Sequence, residues 1–339
     1  MERIEKVFEF VDRDGRGLEI GPSHSPLAPK SAGFDCVTVD HASKEVLTTE
    51  YRGLGIAEDM LDRIEEVDYI WAGERLTDLI DEKFDYIIAS HLLEHTVDMI
   101  AFFEDCEKLL KPGGGLTLIL PDKRFCFDHF RPHTSTGRVV DAHISQDTRF
   151  HTIGTAIDSV GYMCTMESVG VSWWPGADAP LHLEAATVSR SDASVEAAYR
   201  QDEYVDLHNW VFTPASFRLL VRDLNELGFT RLRQVGGYPT SGCEFFATLK
   251  VGEDHSEQPT REALMFAMER EVHEGSFATD NSVGAVALKE LRVENRKLRA
   301  QLSKSKKATK AIKKSTSWQI TRPVRKLSRT AKQIARKSP

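Results

Sequence analysis

The chain has 339 residues, 41% hydrophobic and 28% charged, and no apolar run approaches the roughly 20 residues that span a bilayer, which excludes a bundle of membrane helices. Its net charge of −8 is uneven: residues 303–339 carry 13 Lys/Arg and no Asp/Glu, leaving 31 basic against 52 acidic side chains before them, a balance of −21. An acidic body does not suit a duplex-binding protein, so no nucleic-acid partner is expected, while the basic tail suits an anionic surface.

The N-terminus, Met1 to Lys6, mixes charges and has no apolar h-region, and the five cysteines (Cys36, Cys106, Cys126, Cys164, Cys243) form no CxxC pair. Both features point to a cytoplasmic chain with free thiols. Ile4, Val7, Phe8 and Val11 predict a short amphipathic helix, followed by a strand over 17–20 that ends in the turn Gly21-Pro22. A second strand runs from Phe34 to Asp40 and a third lies near Asp68–Trp71. Gly21 and Asp40 are 19 positions apart, room for a loop, a helix and a strand, as in the first half of a nucleotide-binding α/β sheet. A backbone-tight turn after the first strand admits a ligand there. An acid at the tip of the second accepts hydrogen bonds from ribose hydroxyls.

Phe84 to Ser90 reads as a parallel strand buried on both faces. The spacing of Ile100, Phe103, Cys106, Leu109 and Leu110 predicts a helix over 98–110, with Lys111-Pro112-Gly113-Gly114 stopping it through a glycine C-cap, and a strand comes next at 116–120. Residues 126–210 are rich in His, Trp, Gly and Ser without a clean period and are expected to form an insert over the acceptor. Thr213-Pro214 opens another helix that ends at Gly228, and 229–235 with 243–251 predict a closing hairpin. A polar linker over 252–285, with a helix near 261–272, leads to Leu288, Leu291, Asn295, Leu298 and Leu302 at heptad spacing. Residues 286–302 are therefore expected to form a short coiled coil, able to make a homodimer, ahead of the 303–339 tail.

Only Gly21 of a GxGxG pattern is present, and Pro22-Ser23-His24-Ser25-Pro26 fills the rest. A dinucleotide needs a second glycine beside its pyrophosphate, whereas a phosphate-free cofactor with a ribose, an adenine and an amino-acid end does not. An NAD-dependent sugar epimerase or dehydrogenase would also carry a Tyr-x-x-x-Lys pair, which is missing.

Leu18-Glu19-Ile20-Gly21, Val39-Asp40, the block from Phe84 to His95 and Leu109-Leu110-Lys111-Pro112-Gly113-Gly114 occur in an order that resembles the class I S-adenosylmethionine-dependent methyltransferases over about residues 15–125. "LEIGPSHSPL", "PDKRFCFD" at 121–128 and "HNWVFTPASF" at 208–217 look like a subgroup of bacterial surface-polysaccharide biosynthesis. The resemblance implies a Rossmann-like, doubly wound, mostly parallel seven-stranded sheet over 1–251, with S-adenosylmethionine as cofactor and a sugar or glycan as acceptor. It also implies that Glu19, Gly21, Asp40, Glu74 and Ser90 bind the cofactor. Ser23 and His24 depart from it, standing where many relatives have glycine.

Methyl transfer from a sulfonium is mostly a matter of alignment, which contributes roughly 7–11 kcal/mol. A hydroxyl acceptor must also lose a proton. The candidates for this chemistry are His91 at the fourth strand's tip, Asp122 with Lys123 and Arg124 after the fifth, and His143, His151, His182 and His208. Among these His208 stands out, because Asn209, Trp210 and Phe212 offer an aromatic surface for a sugar ring. His95, after Glu94, is expected to pack or cap. HExxH is absent and no standard ligand spacing is found, so no metal is expected. In the tail, Ser315 to Arg325 is similar to an element near the ends of bacterial glycan-assembly proteins, and one Trp among 13 cations suits reversible adsorption to the inner face of the plasma membrane. The competing expectation is a non-catalytic scaffold of a glycan-assembly complex, motivated by the degenerate glycine motif.

Overall fold

In the computed structural model, residues 2–145, 150–166, 171–174, 183–185, 189, 192–200, 204–252, 259–275, 298, 301 and 304 are described. Helix α1 (Arg3–Phe8) precedes strand β1 (Gly17–Ile20), and β2 (Cys36–Asp40), α2 (Lys44–Gly53), α3 (Glu58–Leu61), β3 (Tyr69–Ile70) and α4 (Leu76–Leu79) come after it. Then come β4 (Phe84–Ser90), α5 (Met99–Leu109) and β5 (Leu110–Pro121). The insert holds α6 (Thr136–Ser145), α7 (Ile153–Gly161), the two-stranded ribbon β6 (Cys164–Met166) and β7 (Leu183–Ala185), and α8 (Ala193–Arg200). Helix α9 (Pro214–Glu226), hairpin β8 (Leu232–Ser241) and β9 (Glu244–Val251), and α10 (Arg261–Gly275) complete it.

The seven-stranded sheet has the order β3-β2-β1-β4-β5-β9-β8, parallel through β5, with β9 antiparallel to both β5 and β8. This is the expected Rossmann-like architecture. Strand order reverses between β1 and β4, the place where an open α/β sheet leaves a crevice beyond its carboxyl ends. Both faces of the sheet are covered, and alternation along β4 sorts its side chains. Ile87 and Ala89 join Leu18, Ile20, Met99, Phe103, Phe217 and Leu224 in one core. Tyr86 and Ile88 join Val7, Phe8, Ile119 and Phe246 in the other.

Local signals set most boundaries. Asp98 caps α5 by accepting from the Ala101 N–H at 3.0 Å, and Thr213 with Ser216 forms a capping box at α9 behind Pro214. The stop of α5 differs from expectation: the helix already ends at Leu109, Leu110 is extended, and the chain enters β5 at once. Gly113, at φ +84°, lies in the irregular start of β5, where the pairing with β4 shifts register, and is not the helix cap. The insert is more helical than its pattern suggested, because α7 and α8 bury small faces (Ala156, Val160, Val195, Ala198) that give little periodic contrast. The helix expected inside the linker forms and docks on α9, where the Arg261 guanidinium donates to Asp223 at 2.9 and 3.1 Å.

Met1–Phe277 makes one compact unit and Ala278–Pro339 a second. Of the second only Leu298, Gln301 and Lys304 are described, all helical, so the coiled coil and the basic tail otherwise lie outside the described residues. Among the described residues no helix is long and apolar enough to cross a membrane.

Gly17 on β1 lies opposite Tyr86 on β4, and a Cβ there would meet the buried ring at 2.1 Å. Gly17→Ala is expected to cost about 1–3 kcal/mol by overpacking, read as a lower urea midpoint. An unchanged midpoint would show that this contact is not tight.

Candidate active site

The crevice is built from the turns that cap the parallel strands at their carboxyl ends. Gly21 ends β1 at φ +67°, a conformation that favours glycine, and its N–H is held by the Val39 carbonyl at 2.7 Å. A Cβ on Gly21 would meet Leu92 Cδ1 at 2.9 Å, so the segment after β4 lies against this turn. Ser23 adopts φ +51°, a left-handed conformation that favours glycine, with a side chain on it. The Asp40 carboxylate, 4% exposed, accepts from the Ser23 N–H at 2.9 Å, the His41 N–H at 2.8 Å and His41 Nδ1 at 2.9 Å. Oδ1 thus carries both His41 donors while Oδ2 carries only Ser23, which leaves an acceptor position for a ligand hydroxyl. The Asp40 contact, with Glu50 behind it, raises the His41 imidazole to about 9 against the pull of burial.

Glu19 does not reach the crevice as a ligand group. Its two oxygens take the N–H groups of Leu27 and Ala28 at 2.7 and 2.9 Å, tying the loop down from beneath, and burial pushes it up to about 7. Its role toward a cofactor is to position the loop. Gly73 is left-handed at φ +98°, and exposed Glu74 folds onto this turn after β3, accepting from the Ala72 N–H at 2.9 Å. Ser90 Oγ accepts from Arg3 Nη2 at 3.1 Å.

His91 and Asp122 are not free bases. His91, itself left-handed at φ +50°, places Nε2 3.0 Å from Glu244 and Nδ1 3.4 Å from Glu94. Burial opposes its charge, but the two carboxylates prevail and raise it to about 10, while Glu244 falls to about 2 with His91 and Arg3 as its partners. Asp122 is fully buried and spent on the Arg124 guanidinium, the Arg124 N–H and the Thr240 hydroxyl. Lys123 donates to the His129 carbonyl at 2.5 Å, and His143 pairs with Asp98 at 2.9 Å. His151, 2% exposed and beside the Tyr204 ring, is lowered to about 4 by burial. His182 lies outside the described residues. Trp210 and Phe212 are each 1% exposed within the main core, so they stack on no sugar: the core beneath the sheet edge claims them.

His208 is the expected candidate that does sit in a reactive setting. Its Nδ1 is hydrogen-bonded to Asp128, which also pairs with Arg131 at 2.8 Å, and its ring packs between Phe127 and His95, both at 4.6 Å. Arg131 binds the His208 carbonyl at 2.7 Å, so the dyad is braced on both sides. Sequence reasoning missed Asp128, although it closes the "PDKRFCFD" block, and set Glu94 and His95 aside. Glu94 is completely buried with both oxygens lacking a hydrogen-bond donor among the described residues, and its carbonyl accepts from the Asn209 and Trp210 N–H groups at 2.7 and 3.1 Å. Ligand atoms of Glu94, His95 and His208 all lie within 4.8 Å of one another. Burial raises the Glu94 carboxyl, yet the three surrounding imidazoles bring it below its ordinary value.

Residues 1–177 match a family described as a methyltransferase domain, and this chain belongs to that family. It is an S-adenosylmethionine-dependent methyltransferase. The residues present fit that cofactor: the glycine turn has no room for a Cβ, and Asp40 stands at the tip of β2 with an acceptor position to spare. No curated protein matches this sequence. Among solved structures, the chain is similar to the CcbJ methyltransferase from Streptomyces caelestis at 13% identity and TM-score 0.39, covering 74% of this chain and 88% of that one. Similar too are the glycopeptide N-methyltransferase MtfA complexed with sinefungin (14% identity, TM-score 0.33, 70% and 81% covered) and a DhpI-SAM-HEP complex (17%, 0.31, 69% and 78%).

Asp40→Ala is expected to abolish S-adenosylhomocysteine binding in calorimetry, whereas His41→Ala, which removes the ring donor from Oδ1 and leaves the backbone one, preserves or tightens it. Equal binding by wild type and Asp40→Ala would contradict the assignment. The His91 charge makes a second prediction, with its sign fixed by linkage. Because folding raises this imidazole from 6.5 to about 10, the stability it contributes is complete below pH 6.5 and fades as pH climbs through 10. The stability difference between wild type and His91→Gln in urea should shrink over that window. A difference that grows with pH would contradict the pairing.

Proposed function

We propose that this methyltransferase acts on a hydroxyl of a sugar or growing glycan in cell-surface polysaccharide biosynthesis. The observation that carries the reading is the insert's store of exposed aromatic rings. Phe130, Tyr162, Trp174, Tyr199 and Tyr204 are each about half exposed, and Tyr204 donates to the His95 carbonyl at 3.3 Å, next to the His208 dyad. Flat rings with polar tips suit the apolar faces and hydroxyl rims of sugars.

In this reading Asp40 takes the ribose, the Gly21–Ser23 turn and Glu74 line the crevice, and Ser90 lies at the β4 tip beside it. When bound, the cofactor supplies an electrophilic methyl carbon on a sulfonium. His208 holds its Nδ1 proton toward Asp128 and turns Nε2 to the acceptor side, an arrangement that fixes both tautomer and ring orientation. We extend the proposal to the 303–339 tail as an electrostatic tether to an anionic membrane face and to 286–302 as a dimerising coiled coil.

Two measurements test the reading. Labelled methyl from the cofactor should appear in extracted polysaccharide or lipid-linked sugar, and cofactor binding without methyl transfer to any glycan would contradict the glycan acceptor. His208→Gln should lower turnover by about 10²–10⁴-fold with S-adenosylhomocysteine affinity unchanged. Undiminished turnover would remove His208 from the reaction.

A further inference from the structure

We propose that Glu94, His95 and His208 bind a divalent transition-metal cation that holds and acidifies the acceptor hydroxyl. The inference deepens the proposed acceptor-site reading and rests on it for the cation's role, though not for its binding.

Three observations converge. The Glu94 carboxylate is fully buried, yet neither oxygen has a hydrogen-bond donor among the described residues, and the His91 imidazole it pairs with, at 3.4 Å, is shared with Glu244 at 3.0 Å. A carboxylate withdrawn from water without donors is costly unless a cation answers it. Second, each histidine of the cluster has a carboxylate on its Nδ1 side: Asp128 is bonded to His208, and Asp206 lies 2.8 Å from His95. For His208 that is the outer-shell arrangement that orients an imidazole for a metal and leaves Nε2 as the ligand atom, while His95 Nδ1 is close to Asp206 without making a hydrogen bond to it. Third, the ligand atoms lie within 4.8 Å of one another, close enough for one ion to bridge them. Entry is from the His95 side, where 25% of that side chain and 80% of Asp206 are exposed.

Two imidazoles and one carboxylate suit Zn2+ or Mn2+ and leave coordination positions open, whereas Mg2+ prefers an all-oxygen set. Leu92, two residues before Glu94, lies against the Gly21 turn, so the cluster follows directly on the segment that borders the cofactor crevice. There the cation takes the acceptor oxygen and its proton leaves to water. An O–C bond then forms to the methyl carbon as the C–S bond breaks, its electron pair staying on sulfur. With the cation bound, His208 Nε2 acts on the acceptor hydroxyl through the ion, and the turnover lost in His208→Gln is the loss of a ligand.

The test uses the full chain stripped with chelator and titrated with Zn2+ by calorimetry and with Mn2+ by paramagnetic resonance. One ion per chain is expected, with Mg2+ far weaker. Asp128→Asn should weaken affinity about 10–100-fold by loosening His208, and Glu94→Gln should abolish binding while thermal melting confirms a folded chain. A metal-dependent rise in wild-type melting temperature, absent in Glu94→Gln, is the second readout. No binding by wild type, or equal binding by Glu94→Gln, overturns the proposal. Metal-free protein that still methylates a glycan at full rate would do so too, leaving the acceptor reading intact. Stoichiometric binding without glycan methylation would sink the acceptor reading and leave the cation site standing.

Discussion

A carboxylate removed from water must find donors or cations, and that requirement organises the functional edge of this sheet. Glu19 on β1, Asp40 on β2, Glu94 after β4 and Asp122 after β5 are all at most 4% exposed. Glu19 answers by gathering the N–H groups of the loop beyond its own strand, and Asp40 by gathering Ser23 and His41. Asp122 answers with a guanidinium two residues away. Each solution pins a loop in one place, so the charges that make the edge reactive also shape it. Glu94 is the exception, surrounded by imidazoles and short of donors.

The insert is joined to this edge by the same means. The Glu94 carbonyl takes two N–H groups from the start of the Asn209–Phe212 segment, and Asn209 Oδ1 receives the Thr155 hydroxyl and Arg138 at 2.9 Å each. Asp128, Arg131 and His208 close a second bridge between the start and the end of the insert. The elements that would meet an acceptor are thereby built on the strand ends that would meet the cofactor. In a transfer that depends mainly on alignment, that mechanical continuity matters more than any one base.

The sheet was legible because its information is local: apolar runs of strand length, a glycine turn, and Asp40 at a spacing only a βαβ unit fills. The site was only partly legible, because burial and pairing are decided by residues distant in sequence. Asp122 looked like a free acid until Arg124 and Thr240 closed on it. Trp210 and Phe212 looked like a sugar platform until the main core absorbed them, while the exposed rings lay in the segments with the weakest periodicity. Asp128 meets His208 across 80 positions, which no local pattern encodes. Glu94-His95 was visible as an acid–imidazole pair just past a buried strand, a signal passed over because it matched no familiar ligand spacing.

The most direct measurement is a crystal structure of this chain with S-adenosylhomocysteine. The account requires both ribose hydroxyls on the Asp40 carboxylate, the His41 ring turned aside, and the Ser23 N–H still in place. A nucleoside bound elsewhere, with His41 still seated on Asp40, would contradict it.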